Sequence, residues 1–330
     1  MENRYRVLLE EVKIGPVVAP NRFYQVPHCT GMGYGSPNTL AAMREVKAEG
    51  GWGVVCTEYC SIHPSSDDTP FPHASIWDNA DVKAQGMMVD KVHAHGSLAG
   101  IQLWHGGSDI SNLHSREITL GPQSRPASGI DPVQSAAMDK RDIRALRSWH
   151  RAAAGRAVEA GFDLVYVYAT HGYLLSQFLS PSNKRSDEYG GSLENRVRLV
   201  RELLEETREV LGDRCALAIR LSSDGGETDG EPDSGEQREV VSLLGDLPDL
   251  WDINIHDYSY EMGSSRFVKE AALEDYVSYV KSMTGKPVVG VGRFTSPDTM
   301  LRQVESGVLD LIGCARPSIA DPFLPRKVKE

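Results

Sequence analysis

Two short turns near the end of the chain carry the plainest chemistry. GVGR (290–293) and GCARP (313–317) each join glycine to arginine directly after an apolar run. Glycine lets backbone N–H groups approach an anion closely, and arginine adds a planar charged fork. Gly292, Arg293, Cys314, Ala315 and Arg316 are therefore candidate ligands for a phosphate group. The plainer reading of GVG is tight backbone packing, but two adjacent turns, each with an arginine, favour phosphate. The five cysteines, Cys29, Cys56, Cys60, Cys215 and Cys314, form no CxxC pair and no metal-ligand spacing. No metal site and no disulfide framework are expected, and a reducing cytoplasmic setting fits this usage.

The elements that must position these turns are legible as short apolar runs. RFYQV (22–26), GVVCTE (53–58), AGIQLW (99–104), LVYVY (164–168), ALAIRL (216–221), WDINI (251–255), PVVGVG (287–292) and LDLIGC (309–314) read as eight strands. Each is continuously apolar, as strands buried on both faces are in parallel sheets. Helical patterns alternate with them. Trp149, Ala152, Ala153, Arg156, Ala157 and Ala160 make one stripe, with Asp139 as cap and Asp142 as first-turn charge. Val197, Val200, Leu204 and Leu211 make another. The pattern predicts a (β/α)8 TIM barrel, one domain over 1–330, with phosphate held after strands seven and eight. A doubly wound open sheet would want a GxGxxG turn after its first strand, and none is present.

Length and composition agree. A barrel with insertions needs about 250 residues or more, and the chain has 330, with 40% apolar and 25% charged residues. The formal charge of −11 argues against nucleic acid or an anionic membrane as partner. No apolar run approaches the roughly 20 residues of a membrane span, and the charged start MENRYRVLLEEVKIG lacks a signal-peptide core. Residues 60–80 and 105–138 are long Ser/Pro/His/Asn/Gly-rich loops after strand ends, where a barrel shapes its substrate pocket. The acidic run 222–236 reads as a solvated loop.

YATHGYLLSQFLSPSNKRSDEYGGSLENR (168–196) is the most specific segment, and it resembles the fourth-strand signature of the old yellow enzyme family of FMN barrels. NRFYQVPHC (21–29), QLWHGG (102–107), GVGR and GCARPSIADPF (313–323) fall where that family places its flavin contacts. The resemblance spans essentially the whole chain. FYQVPHC, EGGWGVVCTEYCSI, FDLVYVY and IGCARPSIADPFLP bring it nearest to the amine-oxidising branch, the trimethylamine, dimethylamine and histamine dehydrogenase type.

That resemblance implies FMN as cofactor, covalently attached through Cys29 to C6 of the flavin ring, with His28 and neighbouring arginines favouring the reactive thiolate. It implies that Val26, Pro27 and His28 line one flavin edge, that Gln102 bonds the pyrimidine edge, and that Arg220 lies near N1, stabilising negative charge on the reduced ring. Tyr168 and His171 match a proton-handling pair. Tyr59 and Tyr173, with Tyr258 or Tyr260, would surround a cationic amine by cation–π attraction. Asp257 or Glu261 would orient the pair. The segment 256–267 is shorter than its counterpart and lacks the expected tryptophan, which leaves the amine open, a larger or carboxylated N-methyl amine among the choices.

The resembled dehydrogenases continue into a [4Fe–4S] cluster and a nucleotide-binding domain, and the ligands for that cluster are absent here. The expected electron acceptor is then an electron-transfer protein or an iron–sulfur domain elsewhere. The leading expectation is amine dehydrogenation or N-demethylation through an iminium. The alternatives are an NAD(P)H-dependent ene-reductase of the old yellow enzyme type, a flavin-binding barrel without turnover, and a barrel of unrelated chemistry whose two turns hold a substrate phosphate. The sequence leaves the oligomeric state open, a homodimer included.

Overall fold

A computed structural model describes residues 4–70, 72–126, 133–223, 235–256 and 267–330. Eight parallel strands form the frame: β1 (Phe23–Gln25), β2 (Val54–Ser61), β3 (Leu98–Trp104), β4 (Leu164–Ala169), β5 (Ala216–Ser222), β6 (Leu250–Asn254), β7 (Val288–Val291) and β8 (Leu311–Cys314). Each pairs with its sequence neighbour. The ring closes where β8 meets β1, Ile312 opposite Phe23 and Cys314 opposite Gln25. All eight predicted strands are present, and the expected (β/α)8 barrel is the observed fold.

Helices α1 (Pro37–Glu49), α2 (Asn79–His93), α3 (Lys140–Glu159), α4 (Leu193–Leu211), α5 (Gly235–Leu244), α6 (Glu274–Thr284) and α7 (Pro297–Glu305) connect the strands. Among the described residues no helix is long and apolar enough to cross a membrane. Asp139 caps α3 as expected. Its carboxylate accepts from the Arg141 and Asp142 amides at 2.7 and 2.8 Å, and Asp142 accepts from the Asp139 amide at 2.9 Å. Such a box contributes about 1 kcal/mol. The stripe predicted on α3 is partly out of phase: Ala152 faces solvent, and the buried face is Ile143, Leu146, His150, Ala153, Ala154 and Ala157. Val197, Val200, Leu204 and Leu211 of α4 are buried as read.

Strand side chains alternate between two cores. One set packs outward under the helices. The inward set, including Tyr24, Val54, Cys56, Leu164, Tyr166, Ala218, Leu250 and Leu311, fills the barrel. An antiparallel hairpin, Val12–Ile14 with Val17–Ala19, adds Ile14 and Ala19 to that inner cluster. The inner filling makes the barrel a packed core and leaves the C-terminal strand ends as the place for a cavity.

The two long loops follow β2 and β3. The first carries the short strand Ala74–Ser75, which extends the sheet beside β2. The second folds on itself through a parallel pairing of Leu120–Gly121 with Ala136–Ala137.

Candidate active site

Register decides which strand-end side chains meet. Arg220 lies opposite Tyr168 on β4 and opposite Asp252 on β6, one layer above the Ala218–Tyr166 level of the inner core. Gln102 on β3, opposite Tyr166, reaches up to Arg220. Arg220 donates from Nη1 to the Pro27 carbonyl at 3.1 Å and to Gln102 Oε1 at 3.4 Å, and its Nε lies 3.6 Å from the Asp252 carboxylate. Arg220 is 6% exposed and Asp252 fully buried. A buried carboxylate beside a buried guanidinium holds that guanidinium in place as a fixed positive charge.

Tyr59 reaches the same level by an irregularity. Cys56 pairs with Gly100 and Tyr59 with Gln102, so β2 advances three residues while β3 advances two. Simple alternation would put Tyr59 on the outer face with Thr57. The extra residue turns it inward. Its ring stacks on Trp104 at 4.3 Å and lies 6.0 Å from Tyr173. Tyr173 sits edge-on to Trp104 at 5.2 Å and 5.5 Å from Tyr168. The result is an aromatic wall.

Tyr168 and His171 are bonded, Oη to Nδ1 at 2.7 Å. Asn254 Nδ2 approaches His171 Nε2 at 3.3 Å, while its Oδ1 accepts from the Ile255 amide at 3.0 Å. The amide therefore presents its donor to His171, which makes Nε2 an acceptor and Nδ1–H the donor to Tyr168. The phenol proton is left to point elsewhere. His171 adopts φ 60°, a left-handed conformation unusual for a residue with a side chain, and Gly172 follows at φ 75°. The turn doubles the chain back so that His171 lies over the strand it has just left.

The loop after β1 is held from behind. Glu58 accepts from the Thr30 amide and hydroxyl, from the Met32 amide at 3.2 Å and from the Gly33 amide at 3.1 Å. Burial opposes ionisation of Glu58, yet the hydrogen bonds from Thr30 outweigh it and lower its pKa. His28 is clasped at both nitrogens. Nδ1 lies 3.0 Å from the Val26 carbonyl, and Nε2 lies 2.8 Å from Arg44 Nη1 and 3.0 Å from Lys47 Nζ. Burial first, then Arg44 and Lys47, holds its pKa well below 6.5. His28 is thus a neutral acceptor. Held neutral, His28 supplies no charge to favour a Cys29 thiolate, which corrects the expectation that it would.

Among the described residues, these groups enclose a cavity of about 430 Å³ at the C-terminal ends of the strands. Val26, Pro27, His28, Cys29, Tyr59, Gln102, Tyr168, His171, Tyr173, Arg220, Gly292, Arg293, Cys314, Ala315 and Arg316 all line it. The candidates named from sequence thus come together, except Tyr258, Tyr260, Asp257 and Glu261, which lie outside the described residues. The glycines of the two turns serve packing as well. A Cβ on Gly292 would meet Ala271 Cα and Phe294 Cζ at 3.0 Å, and one on Gly313 would meet the Gly290 carbonyl oxygen at 2.7 Å. Arg293 stands at φ 54° and donates to the Val268 carbonyl at 2.7 Å.

Sequence reasoning missed Trp104, Asp252, Asn254, Asp68 and His73 as neighbours of the site. Trp104 and Asp252 stand in strands that were recognised, and period-2 counting from Gln102 and Arg220 across the sheet had the signal for both. Asp68 and His73 lie in a loop, where no periodicity announces a direction.

Of the five cysteines, Cys29 is exposed to the cavity and the rest are buried, and all are free thiols. The arginine, glutamine, aromatic and thiol side chains that line one cavity fit the phosphate and ring of a flavin mononucleotide. The cavity volume falls in the ordinary range for a cofactor site.

Comparison with known proteins points the same way. The profile of the NADH:flavin oxidoreductase / NADH oxidase family matches residues 7–330. Dimethylamine dehydrogenase of Hyphomicrobium sp. (strain x) is 43% identical, over 99% of this chain and 46% of that protein. The structure of histamine dehydrogenase from Rhizobium sp. 4-9 superposes with a TM-score of 0.95 at 49% identity, covering 99% of this chain and 48% of that one. That of 6-hydroxypseudooxynicotine amine oxidase from Pseudomonas geniculata N1 gives 0.95 at 46% identity, covering 99% and 50%. The chain spans about half the length of each of these relatives.

Proposed function

From the premise that the chain belongs to the NADH:flavin oxidoreductase / NADH oxidase family, we propose that its cavity binds FMN, tethered through Cys29, and oxidises a small amine. The observation that carries the reading is the shared cavity. A Tyr168–His171 pair, an aromatic wall and the Gln102–Arg220 floor face one another across it. The identities of 43–49% to proteins named as amine dehydrogenases and an amine oxidase support the same direction.

Bound FMN supplies the two-electron acceptor for a substrate C–H bond, and every other task falls to the chain. Arg293 and Arg316, both in the cavity lining, would hold the phosphate. Gln102 and the Pro27 carbonyl fix the polar edge of the ring. Arg220, locked by Asp252, presents positive charge where negative charge develops on reduction. The faces of Tyr59, Tyr173 and Trp104 receive a cationic amine.

Tyr168, its Oη accepting from His171, holds a phenol proton that it gives up and takes back at the reacting amine. The substrate loses two electrons and a proton to give an iminium, which water converts to an aldehyde and the shortened amine. The two electrons then leave to an electron-transfer partner.

The test is spectroscopic. Purified protein is expected to be yellow, with the colour retained in the acid precipitate. Anaerobic mixing with N-methyl amines should bleach it, and mixing with NADPH should not. Colour released by acid would remove the tether and leave the FMN site. Bleaching by NADPH alone would replace amine oxidation with reductase chemistry.

A further inference from the structure

β4 and β5 have a second side at the level of the proposed flavin cavity. Tyr168 and Arg220 pair across the two strands and line that cavity, and the next pair, Ala169 with Leu221, points the other way by strand alternation. Among the described residues, Ala169 and Leu221 line a separate cavity of about 200 Å³, bounded also by the short helix Leu174–Leu179, the first turn of α5 and the loop after β3. The two cavities stand back to back, His171 lining one and Gly172 the other.

The proposed reaction gives this second cavity no task, yet it holds polar atoms that lack a partner. Gln237 is 8% exposed, and its Oε1 is buried with no hydrogen-bond partner among the described residues. Ser176 Oγ, from the short helix, is buried and unpartnered in the same way. Both side chains line the cavity. An unmet buried polar group costs about 1–3 kcal/mol, so two such oxygens beside one space mark a place for a ligand that carries donors. A single water, with a share of about 30 Å³ of the liquid, fills little of that space.

A third acceptor carries charge. Asp109 lines the cavity, and Arg125 donates to its Oδ1 at 3.1 Å. The Asp109 side chain is 20% exposed and the Arg125 side chain 41%. Solvent screens the outlying guanidinium more than the carboxylate, so Asp109 sets the sign of the field inside. The Gln177 amide is already engaged: its Oε1 accepts from the Ser108 amide at 3.0 Å, and its Nε2 donates to the Gly172 carbonyl at 2.6 Å. Ala169, Leu179 and Leu221 supply apolar surface.

We infer that the second cavity is a binding site for a small primary ammonium ion with a short alkyl tail. An ammonium group has three donors and no acceptor, which matches Gln237 Oε1, Ser176 Oγ and the Asp109 carboxylate. A carboxylate or phosphate would bring acceptors to acceptors. A quaternary ammonium has the charge but no donor, and an alcohol has one donor and no charge. The alkyl tail rests on Ala169, Leu179 and Leu221. Nothing in this site requires the flavin, so it stands or falls apart from the proposed reaction.

The test is calorimetric titration of the purified chain at pH 7 after dithionite reduction, when no amine can be oxidised. Tetramethylammonium chloride in excess occupies the aromatic wall of the flavin cavity and, having no donor, leaves the second cavity open. n-Propylammonium chloride is then expected to bind at one site per chain, and n-propanol is not. Ser176→Ala should weaken propylammonium at least about tenfold, the loss of one hydrogen bond to a charged group. Gln237→Leu should abolish binding. Gln237 Oε1 has no hydrogen bond to lose, so this variant should melt no lower than the wild type and keep its amine-dependent bleaching.

No propylammonium binding by the wild type overturns the inference. So does equal binding by the wild type and both variants, or n-propanol binding as tightly as propylammonium. Binding that Gln237→Leu abolishes, in a chain whose flavin no amine bleaches, supports this site and defeats the proposed reaction instead.

Discussion

Tyr168 and His171 are three residues apart in sequence, yet their side chains meet at 2.7 Å because His171 takes a left-handed φ of 60°. The backbone carries the strain of that conformation, of order 1–3 kcal/mol, in return for a hydrogen bond aimed into the cavity. A pair made this way is stiff. The histidine is further held by Asn254, so the phenol is presented in one orientation.

The first prediction concerns that pair. Tyr168→Phe keeps the ring and its contacts with Tyr173 but removes the proton carrier. Amine-dependent flavin reduction is expected to fall about 100-fold or more, with flavin content unchanged. Stopped-flow bleaching and the visible spectrum of the same sample measure both. Unchanged reduction would remove Tyr168 from the chemistry.

Arg220 gives the second. Arg220→Met leaves the fully buried Asp252 carboxylate without the guanidinium 3.6 Å away. A loss of about 3–5 kcal/mol in unfolding free energy is expected, together with loss of bound flavin. Arg220→Lys keeps the charge but gives up the fork that reaches both Pro27 and Gln102. It should retain most of the stability and lose cofactor affinity. Urea titrations of the flavin-free chains separate the two effects.

The third prediction is a pH dependence. The pKa of Glu58 is lowered in the folded chain, so its contribution is complete above the unfolded value of about 4.3 and is lost as pH falls through the folded value. Stability should therefore hold through neutral pH and fall steeply only below that point. Glu58→Gln has one acceptor oxygen in place of two and leaves a buried donor among Thr30, Met32 and Gly33 unmet. It should be about 1–3 kcal/mol less stable at pH 7, the deficit shrinking in acid. Thermal melts of both chains from pH 3 to 7 provide the measurement.

Gly50 gives the fourth. A Cβ there would lie 1.8 Å from the Pro322 carbonyl oxygen. That same oxygen accepts from Trp52 Nε1 at 2.9 Å, and the Arg326 amide donates to the Gly50 carbonyl at 3.1 Å. Gly50→Ala is expected to lower stability by about 1–3 kcal/mol and to expose residues 322–326 to amide exchange.

The strands were legible because each is a continuous apolar run, the mark of burial on both faces. The two turns that line the cavity were legible because glycine and arginine stand close together directly after apolar runs. What escaped has physical causes. Tyr59 points inward only because β2 carries an extra residue, and a register shift of one leaves no trace in composition. The α3 stripe slipped because alanine is small enough to tolerate either face, so Ala152 carries little information. His28 was expected to favour a Cys29 thiolate from its place beside that cysteine. Neighbours in sequence point opposite ways from an extended chain, and His28 turns to Arg44 and Lys47 while Cys29 faces the cavity.

Closure of the ring has a consequence for how the molecule is made. The Val26 amide donates to the Cys314 carbonyl at 3.3 Å, so two walls of the cavity come from the first and the eighth strand of the barrel. A ribosome that has delivered the first seven strands has made Cys29, Tyr59, Gln102, Tyr168 and Arg220, yet β1 still has an open edge and the partners of that edge are unwritten. The cavity is therefore complete only once β8 has been made. Until β8 has emerged and docked, the growing chain carries an unpaired strand for chaperones to cover.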